Sequence, residues 1–220
     1  MNDTVQIDEK LYFFNELLLQ MVTRVEEAIL KATIAFRDRD IDMAKKVMAD
    51  DYFIDQMREL VENDAVRLLI SEAPYGHYMR HVIAGLKMVT SLERMGDHAA
   101  HLAKVATELD SESQDCDKEI IDKLVDMANA DALMFRDVIT ALAETDAKRA
   151  REIAKKDNEI DAYKEEIYKM IFEANKCGDT SNELFEFYYL AKELERLGDH
   201  VTTICKWIVY MEEGETPELN

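Results

Sequence analysis

Two stretches of this sequence carry the same chemistry-bearing residues. Leu92-Glu93-Arg94-Met95-Gly96-Asp97-His98 and Leu194-Glu195-Arg196-Leu197-Gly198-Asp199-His200 lie 102 positions apart. Glu93 and Asp97, like Glu195 and Asp199, are four residues apart, a spacing that places two carboxylates on one face of a helix. A second acidic spacing recurs upstream, as Asp51, Asp55 and Glu59 and again as Asp157, Asp161 and Glu165. Like charges so placed destabilise an isolated helix by roughly 0.2–0.5 kcal/mol per pair. A divalent or trivalent cation would offset that cost, since hard cations prefer carboxylate oxygens. With 47 Asp and Glu in 220 residues, about ten acidic pairs of this spacing arise from composition alone. Asp122/Asp126 and Glu108/Glu112 are such pairs, without a counterpart in the other half. The duplicated pairs differ because their phase and their flanking residues repeat with them.

The remaining polar residues of the motif divide into ligands and supports. His98 and His200 each sit about 100° round the helix from the preceding Asp, a placement that suits an interhelix hydrogen bond better than metal ligation. His101 extends the Glu93–Asp97 face by one turn and is a candidate ligand in the first half only, because Thr203 is its counterpart. Arg94 and Arg196 are expected to neutralise nearby carboxylates. Catalytic apparatus is not apparent. The chain has no Glu-x-x-His of the ferritin-like di-iron type, no Gly-rich phosphate loop and no nucleophile elbow. Cys116, Cys177 and Cys205 form no Cys-x-x-Cys pair and read as reduced thiols of a cytosolic protein.

The elements that must position these groups are helices. Only 2 Pro and 6 Gly punctuate the chain, and helix-favouring residues fill it. Apolar periodicity predicts helices over about 8–36, 40–71, 77–109, 118–143, 147–175 and 181–211. Asp40 is expected to cap the second, and Thr180 with Glu183 has capping-box spacing for the sixth. The polar run at 110–117 reads as a linker, and the last residues as a frayed tail. An offset of 106 aligns Met21 with Met127, Ala35 with Ala141, Asp40 with Asp146, Asp51 with Asp157 and Ile54 with Ile160. The offset falls to 102 after the "SEAPYG" region. The expected fold is therefore all-α, two tandem and sequence-related three-helix bundles (1–110 and 111–220) built from six long antiparallel helices.

Placed on those helices, Glu93 and Asp97 point away from the apolar seam Met88–Leu92–Met95–Ala99–Leu102–Ala106. Asp51 and Asp55 flank the Val47–Ile54–Val61 seam. The acidic groups are thus expected to converge on an open, shallow surface where two helices meet, with Gly96 and Ala100 leaving room. Trp207 fits either a partner anchor or packing between the halves. A net charge of −20 repels nucleic acid and anionic lipid. The first residues carry no basic and apolar leader pattern, and no run of 18 apolar residues occurs. The expected location is cytoplasmic, reaching a membrane through partners rather than by insertion.

Tandem three-helix units with Asp-x-x-x-Asp on the middle helix and Leu-Glu-Arg-(Met/Leu)-Gly-Asp-His on the third resemble the PhoU family over nearly the whole chain. The resemblance implies a non-enzymatic regulator of phosphate uptake and phosphate-starvation signalling. Its implied partners are a Pst-type phosphate ABC transporter and a sensor histidine kinase. It further implies multinuclear iron or zinc clusters, one per half, on Asp51, Asp55, Glu93 and Asp97 and on Asp157, Asp161, Glu195 and Asp199. At His101 and Thr203 the sequence departs from the Asn often found in the family. A homodimer is compatible with these features. The alternatives are an accessory of a low-affinity phosphate permease and a carboxylate-bridged di-iron oxidase, the latter disfavoured by the lack of Glu-x-x-His.

Overall fold

The computed structural model describes residues 2–109, 115–176 and 182–219. All regular structure among them is helical: α1 (Asn2–Asp38), α2 (Ile41–Glu72), α3 (His77–Glu108), α4 (Asp115–Glu144), α5 (Ala147–Ala154), α6 (Asp157–Lys176) and α7 (Asn182–Glu213). The boundary expected at 110/111, most of the expected linker, and Thr180 of the capping box lie outside the described residues.

The duplication is visible in the backbone. Asp40 accepts a hydrogen bond from the Met43 N–H at 2.9 Å, and Asp146 accepts one from the Arg149 N–H at 2.8 Å. Each acid follows a residue forced to positive φ, Arg39 at 53° and Thr145 at 51°. In both turns the capping Asp donates its own N–H back into the preceding helix, to Ala35 O at 3.0 Å and Ala141 O at 2.9 Å. One reversal, with a left-handed residue at the same position and the same Asp cap, therefore appears in both halves.

One expected helix is interrupted. Residues 147–175 do not form a single rod, because a turn at Lys155–Lys156 separates α5 from α6. There the Lys156 N–H bonds Ile153 O and the Glu159 N–H bonds Lys156 O, both at 2.9 Å. These three-residue steps are tighter than α-helical ones. They make Asp157 the first residue of α6 and bury it, whereas its counterpart Asp51 lies inside the unbroken α2 and is half-buried. The far end of the chain is tied down rather than frayed. Arg151 clamps Glu213 through two bonds of 2.6 and 2.7 Å, Glu212 accepts the Ala147 N–H at 2.7 Å, and Leu219 packs against the core.

α3 packs on α1, α2 and α7, and α7 packs on α3, α4, α5 and α6. These two helices thus form the centre, and both carry the repeated motif. Burial from several directions explains why α3 is rich in small residues: Ala84, Gly85, Gly96, Ala99, Ala103 and Ala106 are all buried. Phe14, Leu18 and Met21 of α1 fill the space beside them. Trp207 is partly buried against the core and meets Tyr210 edge to face at 5.5 Å. Because the two caps are geometrically equivalent, Asp40→Ala and Asp146→Ala should each lower stability by about 1 kcal/mol in urea denaturation. Unequal losses would show that the turns are not interchangeable.

Candidate functional site

In the first half the expected ligands come together. α2 supplies Asp51 and Asp55, and α3 supplies Glu93 and Asp97. Burial, then the charges of Asp97, Asp55 and Glu93, push the Asp51 carboxyl up to about 6. Burial and Asp97 also raise Glu93, against the opposing pull of Arg94 and Arg58. Four carboxylates therefore share one electrostatic space in the α2–α3 groove. The helices approach closely there because Gly96 has no side chain: a Cβ would stand 3.0 Å from Ile54 Cδ1 and 3.1 Å from Asp51 Oδ1. Glu93 is more enclosed than the helical wheel suggests, with a side chain only 17% exposed. Arg94 bridges Asp97 at 3.3 Å and approaches Glu93 at 3.5 Å, the neutralising role its position predicts.

The second half does not repeat this arrangement. Lys164 reaches in from α6 and donates to Asp161 at 3.2 Å and Glu195 at 3.0 Å. Burial opposes its charge, but those two hydrogen bonds outweigh it and raise its pKa. Asp199 is raised by burial and by Glu195 and Asp161, with Lys164 and Arg196 opposing. Asp157, expected in the same cluster, lies instead inside the bundle. A Cβ on Gly198 would stand 2.7 Å from Asp157 Oδ1 and 3.3 Å from Oδ1 of Asp131, a fully buried residue of α4. Burial first, then the charge of Asp157, hold the Asp131 carboxyl well above its usual range. Among the described residues, no three His, Cys, Asp or Glu side chains already converge as they would around a metal ion.

The repeated histidines lie where the halves meet. His98 Nδ1 donates to Glu193 Oε2 of α7 at 2.6 Å, and both side chains are buried. His200 stands 5.6 Å from the His98 ring, and burial, with His98, Arg94 and Arg196 adding, drives its pKa down to about 4. An α3–α7 groove of about 550 Å³ joins Arg94, Asp97 and His98 to Arg196, Asp199 and His200. His101 is set edge-on against Tyr189 of α7 at 5.4 Å, with its Nδ1 buried and unpartnered. Sequence reasoning missed Lys164, Asp131 and Glu193. Lys164 alone left a signal, since Arg58 occupies its position in the first half. Asp131 and Glu193 face Val25 and Ser91 at those offsets, so the repeat does not mark them.

The crowding of Asp51 has a measurable sign. Folded, it keeps its proton up to about pH 6, whereas its ordinary value is 3.8. The folded state binds more protons in between, so this stabilisation is full below the ordinary value and is lost as pH rises through the folded one. His200 runs oppositely: its stabilisation is present above its ordinary 6.5 and is lost as pH falls through about 4. The difference between wild type and Asp51→Asn isolates the first effect. In chelator-treated protein that difference should grow from near zero at pH 4 to on the order of 2–4 °C in favour of the variant at pH 7. A difference flat with pH would rule out a raised Asp51 carboxyl in the folded protein.

Comparison with known proteins gives a consistent result. The PhoU domain matches residues 18–106 and 124–208, once in each half. The chain is 31% identical over 209 residues to a phosphate-specific transport system accessory protein PhoU homolog of Clostridium acetobutylicum, covering 92% of each. It is 32% identical over 216 residues to the homolog of Streptococcus pneumoniae, covering 98% of this chain and 99% of the other. The crystal structure of the phosphate transport system regulatory protein PhoU from Streptococcus pneumoniae superposes with a TM-score of 0.90 at 30% identity, over 97% of this chain and 100% of that one. PhoU from Pseudomonas aeruginosa gives 0.88 at 25% identity, over 94% and 99%. With two copies of the domain, relatives of matching length and the same arrangement of helices, this chain belongs to the PhoU family.

Proposed function

We propose that this protein is an accessory regulator of phosphate transport that acts by contact, as an adaptor between a Pst-type phosphate ABC transporter and a sensor histidine kinase. The observation that carries this reading is the end-to-end match to relatives named as accessory proteins of the phosphate-specific transport system. The shape and charge of the molecule support it. No helix among the described residues is long and apolar enough to cross a membrane, so a transporter is met through its exposed parts. A surface bearing a net −20 favours basic partner faces and speeds encounter with them.

Metal on the acidic faces is part of the same proposal. In the first half the donor set fits a hard cation: four carboxylates repel one another across a groove, and Asp51 is pushed toward protonation by burial first and then by that repulsion. Asp51, Asp55, Glu93 and Asp97 would hold the ion, iron or zinc being the expected metals. When bound, it would supply positive charge that ties α2 to α3. In the second half Lys164 already supplies a positive charge to Asp161 and Glu195, so metal there competes with a side chain of the protein. Arg94 and Arg196 hold neighbouring acids and limit the residual charge.

Elemental analysis of protein purified from its own cells should show bound iron or zinc, falling at least about tenfold in Asp97→Ala plus Asp199→Ala. Equal content in both would remove those two residues as necessary ligands. Tagged full-length protein should capture components of a Pst-type transporter and a histidine kinase from its own cells. Capture of a low-affinity permease in their place would support the permease-accessory alternative, and capture of none of these would overturn the adaptor.

A further inference from the structure

We propose that α5 and the turn after it form a basic docking face for a short acidic segment of a partner protein. This face rests on the adaptor reading for the existence of a partner, and adds the place and chemistry of one contact. Residues 148–156 hold five bases and one acid, Lys148, Arg149, Arg151, Lys155 and Lys156 against Glu152, a charge of +4. The whole chain carries −20, so the residues outside this window carry −24. The offset of 106 supplies an internal control. Residues 42–50 of the first half hold two bases and two acids, Lys45 and Lys46 against Asp42 and Asp50, a charge of zero. The excess of positive charge therefore belongs to one copy of the unit and is not a property of the repeat.

The fold collects these bases on one side. Ala147, Ala150, Ile153 and Ala154 are buried against the bundle, and at helical spacing the bases fill the opposite arc. Two are neutralised where they stand, Arg151 by Glu213 and Lys156 by Asp137. Lys148 and Lys155 are exposed, with no acid at ion-pair distance among the described residues. Arg149 comes only to 3.9 Å from Glu144, a separation at an exposed site that contributes little. Helix stability does not account for Lys148 and Arg149, because both lie in the first turn, where the helix dipole disfavours positive charge. The face is about 12 Å long, the rise of the 8 residues of α5, and Asp137, Glu144 and Glu213 stand at its edges. A nucleic-acid duplex or an anionic bilayer extends beyond a Debye length of about 8 Å and would meet the surrounding acids as well. A segment of about two helical turns meets the bases alone.

The probe is a labelled peptide of repeated Glu-Glu-Ala-Ala, about 12 residues long, followed by fluorescence anisotropy in low-salt buffer. Full-length wild type should bind it, and Lys148→Glu plus Lys155→Glu should weaken binding at least about tenfold. Lys45→Glu plus Lys46→Glu, at the equivalent place in the first half, should leave binding nearly unchanged. The altered lysines of α5 are exposed and a glutamate suits a first turn, so that variant should melt within about 2 °C of wild type. Failure of the peptide to bind would overturn the proposal, as would equal affinity in wild type and Lys148→Glu plus Lys155→Glu, or equal weakening by the two double variants. Tighter binding of duplex DNA or of phosphatidylserine vesicles than of the peptide, lost in the α5 variant, would also overturn it and assign the face to nucleic acid or membrane. If wild type captures a transporter or kinase from its cells but does not bind the peptide, only this face is wrong. If it binds the peptide and captures neither, the adaptor fails and the face stands for a partner of another kind.

Discussion

Carboxylates that share a groove between two packed helices repel one another, and the helices must approach in spite of it. This constraint organises both halves. Gly96 lets α2 lie against α3 within van der Waals reach of Asp51, and Gly198 does the same for α6 against α7. The glycines are needed for closeness and not for backbone freedom, since both sit inside regular helix. A methyl group at either would meet an acid's oxygen, most severely at 2.7 Å from Asp157. The approach makes the acids into a cluster, and the cluster raises Asp51 by burial and by like charge.

The two copies of the unit answer this repulsion differently. In the first half the acids are left crowded, with Arg94 and Arg58 at the margin. In the second, Lys164 moves into the groove as a fixed counter-ion, and one acid of the four is withdrawn into the bundle to face Asp131. A single substitution at each of several equivalent positions accounts for the contrast: Arg58 against Lys164, Val25 against Asp131, Ser91 against Glu193. A lysine presents a compact charge that two carboxylates can share, whereas the planar guanidinium of Arg58 leaves its buried Nε unpartnered. Duplication thus supplied two equal faces, and divergence made them electrostatically unequal.

Much of this was legible in the sequence because helices announce themselves by period, caps and breakers. The Asp40 cap, the register between the halves, the meeting of Asp51, Asp55, Glu93 and Asp97, the role of Arg94 and the interhelix bond of His98 all follow from spacing on a 3.6-residue helix. What was hidden has a common cause. The break at Lys155–Lys156 falls in a stretch of good helix formers, where propensity argues for continuation and tertiary packing decides otherwise. Asp131 and Glu193 look like members of any solvated face until the neighbouring helices are in place. Both gain their meaning from a partner about 26 or 95 positions away, a distance that periodicity does not span. His101 illustrates the converse: its spacing aligns it with Glu93 and Asp97, but the packing of α7 sets Tyr189 against its ring.

The location of the repeated histidines connects the acidic faces to each other. α3 carries Glu93 toward α2 and sets Asp97 between the α2 side and the α3–α7 groove, while its next residue, His98, reaches into α7 and holds Glu193. α7 likewise carries Glu195 and Asp199 toward α6 and places His200 beside His98. Each central helix therefore has an acidic edge and a junction edge one residue apart, separated by about 100° on the helix. α3 thus packs on α2 along its acidic edge and on α7 along the edge that forms the contact between halves. Burial holds the His200 pKa low, so its ring meets that of His98 without bringing a positive charge of its own to the junction. The junction of His98, Glu193 and His200 thus lies between the two acidic faces, on the helices that carry both.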